Sequence, residues 1–301
     1  MRKLTIIIAL LSATIGKHHA LAAESQTKPF ALATTETSLA CYLPTESNVP
    51  YSAVLKLKTG QPSEIIPYGD DPLQFAELWL PQQSSKQQLA PPAPLVVFIH
   101  GGCWLNQFDI QHTHAFSTAL TEAGYAVFSI EYRRTGDVGG GWPGSYDDIK
   151  AALAARNKLI GFPVDLSRVV LTGHSAGGHL ALLAGSEPNM NLSAVIGLAA
   201  IVNIEDYSIG ENSCQTATPA FMGGHLEQRA EAYRAANPAN RKWHPITKLI
   251  HGSNDAIVPL NQSADYPDQQ IVVDGAGHFD LIHPGTMAFK TFLKTLASTL
   301  R

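Results

Sequence analysis

The sequence predicts an α/β chain in which helices cover both faces of a mostly parallel sheet. Three observations carry this. Residues 95–99 (LVVFI) form an unbroken apolar run, the pattern of a strand buried on both faces. Downstream, short β-branched runs alternate with segments of helical periodicity. Several of the apolar runs end in a glycine-rich loop, as strands do where a parallel sheet presents its carboxyl ends.

Taken in order, residues 75–80 (FAELWL) alternate and stop at Pro81, which reads as a strand. Residues 95–99 are the next strand, and residues 114–123 are helical up to Gly124. A strand over 125–132 follows, then an amphipathic helix over 145–159 whose Ser145-x-x-Asp148 start resembles a capping arrangement. Strands are expected at 169–172, 195–200, 246–250 and 270–273, and helices at 176–184 and 286–300. Residues 204–244 hold Gly, Pro and Cys with short helical pieces and no strand pattern. They read as a small lid-like insertion within one domain over 24–301.

Within this domain, residues 24–60 read as an N-terminal arm, and residues 1–23 read as a signal peptide. Arg2 and Lys3 precede an apolar run, and Ala20-Leu21-Ala22 offers small residues at cleavage spacing. The run is too short and interrupted for a membrane span. The expected destination is the periplasm or the medium. Formal net charge is −4, and becomes about −7 once Arg2, Lys3 and Lys17 are removed with the leader. That balance argues against a nucleic-acid partner, which needs a basic face. Of the three cysteines, Cys41 and Cys214 are the expected disulfide and Cys103 is expected to be free. None of their spacings suits a zinc site, and no other metal or cofactor is expected.

The loops bear the chemistry. Gly173-His174-Ser175-Ala176-Gly177 is a G-x-S-x-G set between a strand and a helix, the setting of a nucleophile elbow. A serine hydroxyl needs a base, and His278 in Gly275-Ala276-Gly277-His278 is the candidate, with His283 as its competitor. His174 and His179 are too close along the chain to approach the hydroxyl, so packing or a solvated helix face is their expected role. Asp255, in the loop after residues 246–250, is the acid that would orient His278; Asp274 and Asp280 are substitutes. Backbone N–H groups of Gly101, Gly102, Cys103 and Ala176 are the candidate oxyanion donors. His100 reads as a brace for that loop. Trp104, Trp142, Phe221 and Tyr207 are candidate pocket residues.

The order Ser175, Asp255, His278 and the segments HGGCW (100–104), EYRR…GGGWPGSYDD (131–148), GHSAGGHLAL (173–182), HGSNDAIVP (251–259) and GAGHFD (275–280) resemble the α/β-hydrolase superfamily. Within it, the likeness is to the carboxylesterase, hormone-sensitive-lipase-like and kynurenine-formamidase-like group, and it covers residue 75 onward. The resemblance implies an α/β-hydrolase fold with about eight strands and no cofactor. Many lipase-like members carry a third glycine where this chain has Cys103, and the formamidase members are intracellular.

The expected function is therefore hydrolysis of small carboxylic esters, of short or medium acyl or aromatic acids, through a Ser175 acyl-enzyme. Formamide or amide hydrolysis of the kynurenine-formamidase type is the alternative. A binding protein with an inert triad is the reading from another class.

Overall fold

The computed structural model describes residues 42–82 and 91–300, all within the unit Leu32–Arg301. The expected leader and the first part of the arm, up to and including Cys41, lie outside the described residues. Helix α1 (Tyr51–Val54) is followed by β1 (Glu64–Pro67), β2 (Phe75–Trp79), β3 (Ala93–Ile99), α2 (His114–Glu122), β4 (Ala126–Ile130) and α3 (Gly144–Ala154). Then come β5 (Val164–His174), α4 (Ala176–Gly185) and β6 (Ala194–Leu198). After α5 (Ile204–Tyr207), α6 (Thr218–Met222) and α7 (Leu226–Ala235), the chain returns to the sheet as β7 (Thr247–Gly252). It closes with α8 (Asn261–Ala264), β8 (Gln270–Val273) and α9 (Met287–Thr299).

The eight strands form one sheet in the order β1-β2-β4-β3-β5-β6-β7-β8. Pairs from β4 to β8 are parallel, whereas β1 and β2 are antiparallel additions at one edge. This is the α/β-hydrolase fold. Every residue of β3 is buried, and its side chains divide by strand alternation. Leu95, Val97 and Ile99 join the core beneath α3 and α4, while Val96 and Phe98 pack with α2 and α9. On α9, Phe289, Phe292 and Leu296 recur at helical spacing, and Phe116 of α2 stacks on Phe292 at 5.4 Å. Truncating a buried phenylalanine of this kind costs about 3–5 kcal/mol.

Four details depart from expectation. The exposed edge strand β1 carries no apolar alternation that would announce it. Strand β5 starts five residues early because Val164 and Asp165 pair with Ala93 and Pro94 before a register shift. Ser145 caps nothing; its hydroxyl donates to the Arg133 carbonyl at 2.6 Å, while Asp148 takes the Arg133 guanidinium. Cys214 is bonded to Cys103, not to Cys41, with the two Cα atoms 5.0 Å apart. Both sulfurs belong to residues buried in the core beneath α3 and α4, where the loop after β3 meets the segment between β6 and β7. Among the described residues, no helix is long and apolar enough to cross a membrane.

Candidate active site

The carboxyl ends of β3, β5, β7 and β8 carry the four glycine-rich loops. At the end of β5, Ser175 has φ 57° and ψ −121°, a strained conformation for a residue with a Cβ, costing about 1–3 kcal/mol. Its neighbours make the turn feasible. A Cβ on Gly177 would strike the Ile99 and His100 carbonyls, and one on Gly173 would strike the backbone of Gly177. The first turn of α4 therefore lies directly against the ends of β3 and β5 only because both positions lack a side chain. The Ser175 N–H donates to the Leu198 carbonyl of β6 at 2.9 Å, and its carbonyl accepts from His179 at 3.0 Å, fixing the elbow from both sides.

His278 follows β8 and is 6% exposed. Its Nδ1 is 2.7 Å from Asp255 Oδ2, and the carboxylate's other oxygen accepts the N–H groups of Ile257 and Val258, each at 2.8 Å. Burial alone would raise the Asp255 carboxyl. The charge of His278, its hydrogen bond and the neighbouring N–H groups outweigh this and hold it below the ordinary carboxylate value. With Asp255 ionised, Nδ1 of His278 carries the hydrogen, which leaves Nε2 free to accept a proton. His251, 3.8 Å from Asp255, does not compete: burial pushes its pKa down, and its Nε2–H donates to the Val258 carbonyl at 2.7 Å.

The rival candidates are occupied elsewhere. His283 Nδ1 accepts the Gly285 N–H at 3.2 Å. Asp280 accepts the N–H groups of Asn48, Val49 and Gly277 at 2.6, 2.7 and 3.1 Å, anchoring the arm. Asp274 takes the Ser253 hydroxyl at 3.1 Å. His174 is buried, and burial followed by the charge of His278 drives its pKa well down. Its Nε2–H donates to the His278 carbonyl at 2.9 Å. A residue expected to pack or to lie on a solvated helix face thus ties the elbow to the loop of the candidate base.

Across from the elbow, a Cβ on Gly101 would come within 3.1 Å of Ser175 Cβ, so the loop after β3 passes beside the serine. Among the described residues, no internal acceptor takes the N–H of Gly102, Cys103 or Ala176, so these three remain available to an incoming anion. Cys103 (φ 53°) and Trp104 (φ 57°) both lie in the left-handed region, each at a cost of about 1–3 kcal/mol. His100 braces the loop from below. Its Nε2 meets Glu131 Oε1 at 3.0 Å and its Nδ1 the Gly101 carbonyl at 2.8 Å. Glu131 also accepts the Ile110 and Tyr132 N–H groups at 3.0 and 2.8 Å and lies 3.4 Å from Arg134. Burial pulls the Glu131 carboxyl up, but His100 and Arg134 bring it below its ordinary value.

Of the expected pocket residues, Trp104, Phe221 and Tyr207 are buried, and Trp104 stacks on Phe221 at 4.6 Å. They are core, not lining; only Trp142 keeps an accessible face. Two surface clefts are lined by other residues. One of about 640 Å³ is bordered by Asn203, Glu205 and Arg234, another of about 350 Å³ by Tyr51, Phe108 and His112. Neither includes Ser175 or His278. Among the described residues, no group of three or more His, Cys, Asp or Glu could hold a metal ion.

The BD-FAE family model matches residues 77–269. Esterase LipC of Mycobacterium tuberculosis is 29% identical over 71% of this chain and 59% of its own length. Esterase LipQ of the same organism is 26% identical over 66% of this chain and 50% of its own. The chain thus spans just over half the length of these curated relatives. Among solved structures, esterase B from Lactobacillus rhamnosis superposes with a TM-score of 0.67 at 21% identity, over 83% of this chain and 89% of that one. An esterase of Pyrobaculum calidifontis gives 0.62 at 16% identity, over 83% and 88%.

Proposed function

The chain belongs to the BD-FAE family, and from that premise we propose that it is a serine esterase cleaving small carboxylic esters with Ser175 as nucleophile. The observation that carries this reading is the His278–Asp255 pair at 2.7 Å, set beside a strained serine elbow and three unspent N–H groups. His278 Nε2 takes the Ser175 proton as Oγ attacks the ester carbonyl. The N–H groups of Gly102, Cys103 and Ala176 donate to the developing oxyanion, fixed in place before the charge forms. His278 then passes the proton to the departing alkoxide, leaving an acyl-Ser175. Water repeats the sequence: His278 accepts its proton, hydroxide adds to the acyl carbon, and Ser175 leaves reprotonated. The esterase names of LipC and LipQ support this chemistry.

Short or medium acyl and aromatic acids form the proposed substrate range. The serine is 2% exposed, and the segment over 204–244 turns its largest apolar side chains inward instead of offering a broad apolar face to long chains. Export to the periplasm or the medium belongs to the same proposal. The Arg2-Lys3 start, the apolar run, Ala20-Leu21-Ala22 and the Cys103–Cys214 bond support it, because disulfides persist in oxidising compartments.

The test is turnover of p-nitrophenyl acetate and butyrate by the wild type and by Ser175→Ala, with fluorophosphonate labelling in parallel. The variant should lose activity by about 10³-fold or more and fail to label. A Ser175→Ala protein keeping over about 1% of turnover would refute the assignment.

A further inference from the structure

Two successive residues of the loop after β3, Cys103 and Trp104, hold left-handed backbone conformations that their side chains disfavour. Each is held by the segment between β6 and β7. Cys103 is bonded to Cys214, and Trp104 lies face to face with Phe221 of α6 at 4.6 Å and 10°. The same segment grips the loop of Asp255. The Asn212 side-chain amide donates to the Ile257 carbonyl at 2.8 Å, and the Tyr207 hydroxyl donates to that carbonyl at 2.9 Å. Asn212 Oδ1 accepts the Cys214 N–H at 3.1 Å. Since the Ile257 N–H donates to Asp255 Oδ1, bonded contacts run without a break from Asp255 through Ile257, Asn212 and Cys214 to Cys103.

We propose that residues 207–215 act as a brace, with Cys214 and Asn212 as positioning residues that hold the Cys103 N–H toward the oxyanion and couple it to the acid loop. A lid hinged to swing over the serine would have to part from Cys103, and the covalent bond forbids that. Cys103 holds a backbone conformation that its side chain disfavours, and its bond to Cys214 helps to keep it there. The proposal rests on the esterase reading above.

The test compares the oxidised protein with the protein reduced under native conditions, with Cys214→Ala and with Asn212→Ala. Readouts are kcat and KM on p-nitrophenyl butyrate, affinity for a trifluoromethyl ketone that mimics the tetrahedral oxyanion, and amide exchange over 101–105 and 254–258. Weakening one oxyanion donor without deleting it should lower kcat and ketone affinity about tenfold and leave KM within about twofold. Reoxidation should restore both, and exchange should quicken in both loops. Asn212→Ala, with its disulfide intact, should quicken exchange at 254–258 and lower kcat less. If Cys214→Ala does not fold, reversible reduction of the wild type decides. A reduced, folded protein with kcat and ketone affinity within about twofold of the oxidised one, or with unchanged exchange at 254–258, overturns the brace. If the oxidised protein turns over no ester, the esterase reading fails separately, and the exchange data alone decide the brace.

Discussion

His174 Nε2 is 2.9 Å from the carbonyl oxygen of His278, and the two rings lie 4.5 Å apart. One histidine, buried and neutral, therefore ties the end of β5 to the backbone of the other. His174→Ala should lower kcat about 10- to 100-fold with KM changed less than about threefold, because small displacements of a base are costly in rate. Steady-state kinetics on p-nitrophenyl acetate test this. An unchanged kcat would mean that the His278 backbone holds without the bond.

Asp255→Asn should leave the fold intact, since the side-chain oxygen can still accept the Ile257 and Val258 N–H groups. It cannot accept from Nδ1 of His278 in the same way if its amide turns toward the ring. Activity should fall by about 10²- to 10⁴-fold, while the thermal midpoint moves only a few degrees. Calorimetry alongside kinetics separates the two effects.

Glu131→Gln removes the charge that balances Arg134 beneath the loop after β3, where Glu131 also meets His100. Breaking one side of a buried ionic cluster should destabilise the protein by about 3 kcal/mol at pH 7. The folded-state pKa of Glu131 is lowered. Its contribution is therefore complete above the ordinary carboxylate range and disappears as pH falls through the lowered value. Urea titrations should show the gap between wild type and variant unchanged from pH 7 to about pH 5 and narrowing only as pH falls below the ordinary carboxylate range.

His179 is buried, donates from Nε2 to the Ala236 carbonyl at 2.7 Å, and has its pKa pushed down to about 4. Between about pH 6.5 and pH 4 the unfolded chain binds a proton that the folded chain refuses, so stability falls as pH falls through that window. One such group contributes a slope of about 1.4 kcal/mol per pH unit. His179→Gln should lower the slope of unfolding free energy between pH 6 and pH 4.5 by about that amount. Denaturant midpoints at several pH values measure it, and an identical slope would contradict the buried neutral histidine.

Much of the architecture was readable because burial on two faces leaves a plain mark. Strand β3 has no polar residue at all, and the run into Ser175 joins a β-branched strand to a small-residue helix. The edge strand β1 was invisible because only one of its residues is even partly shielded. Asp165 and Ser167 hid the start of β5, since a register shift lets polar residues sit in a strand. The loops that meet at the sheet edge could be named, but not which side chains touch across it. Cys103 and Cys214 are 111 residues apart, and no periodicity reports that their loops adjoin. The same holds for His174: its sequence position bars it from the Ser175 hydroxyl but says nothing of the His278 carbonyl.

The grip of Asp280 on the Asn48 and Val49 N–H groups spans 232 and 231 residues. During synthesis at about 5–20 residues per second, Asn48 is made roughly 10–50 s before its partner. The arm must wait through the making of nearly the whole sheet, and it docks only when the loop of His278 arrives. Completion of the site and fastening of the arm are thus one late event, so a nascent chain arrested before Asp280 has neither.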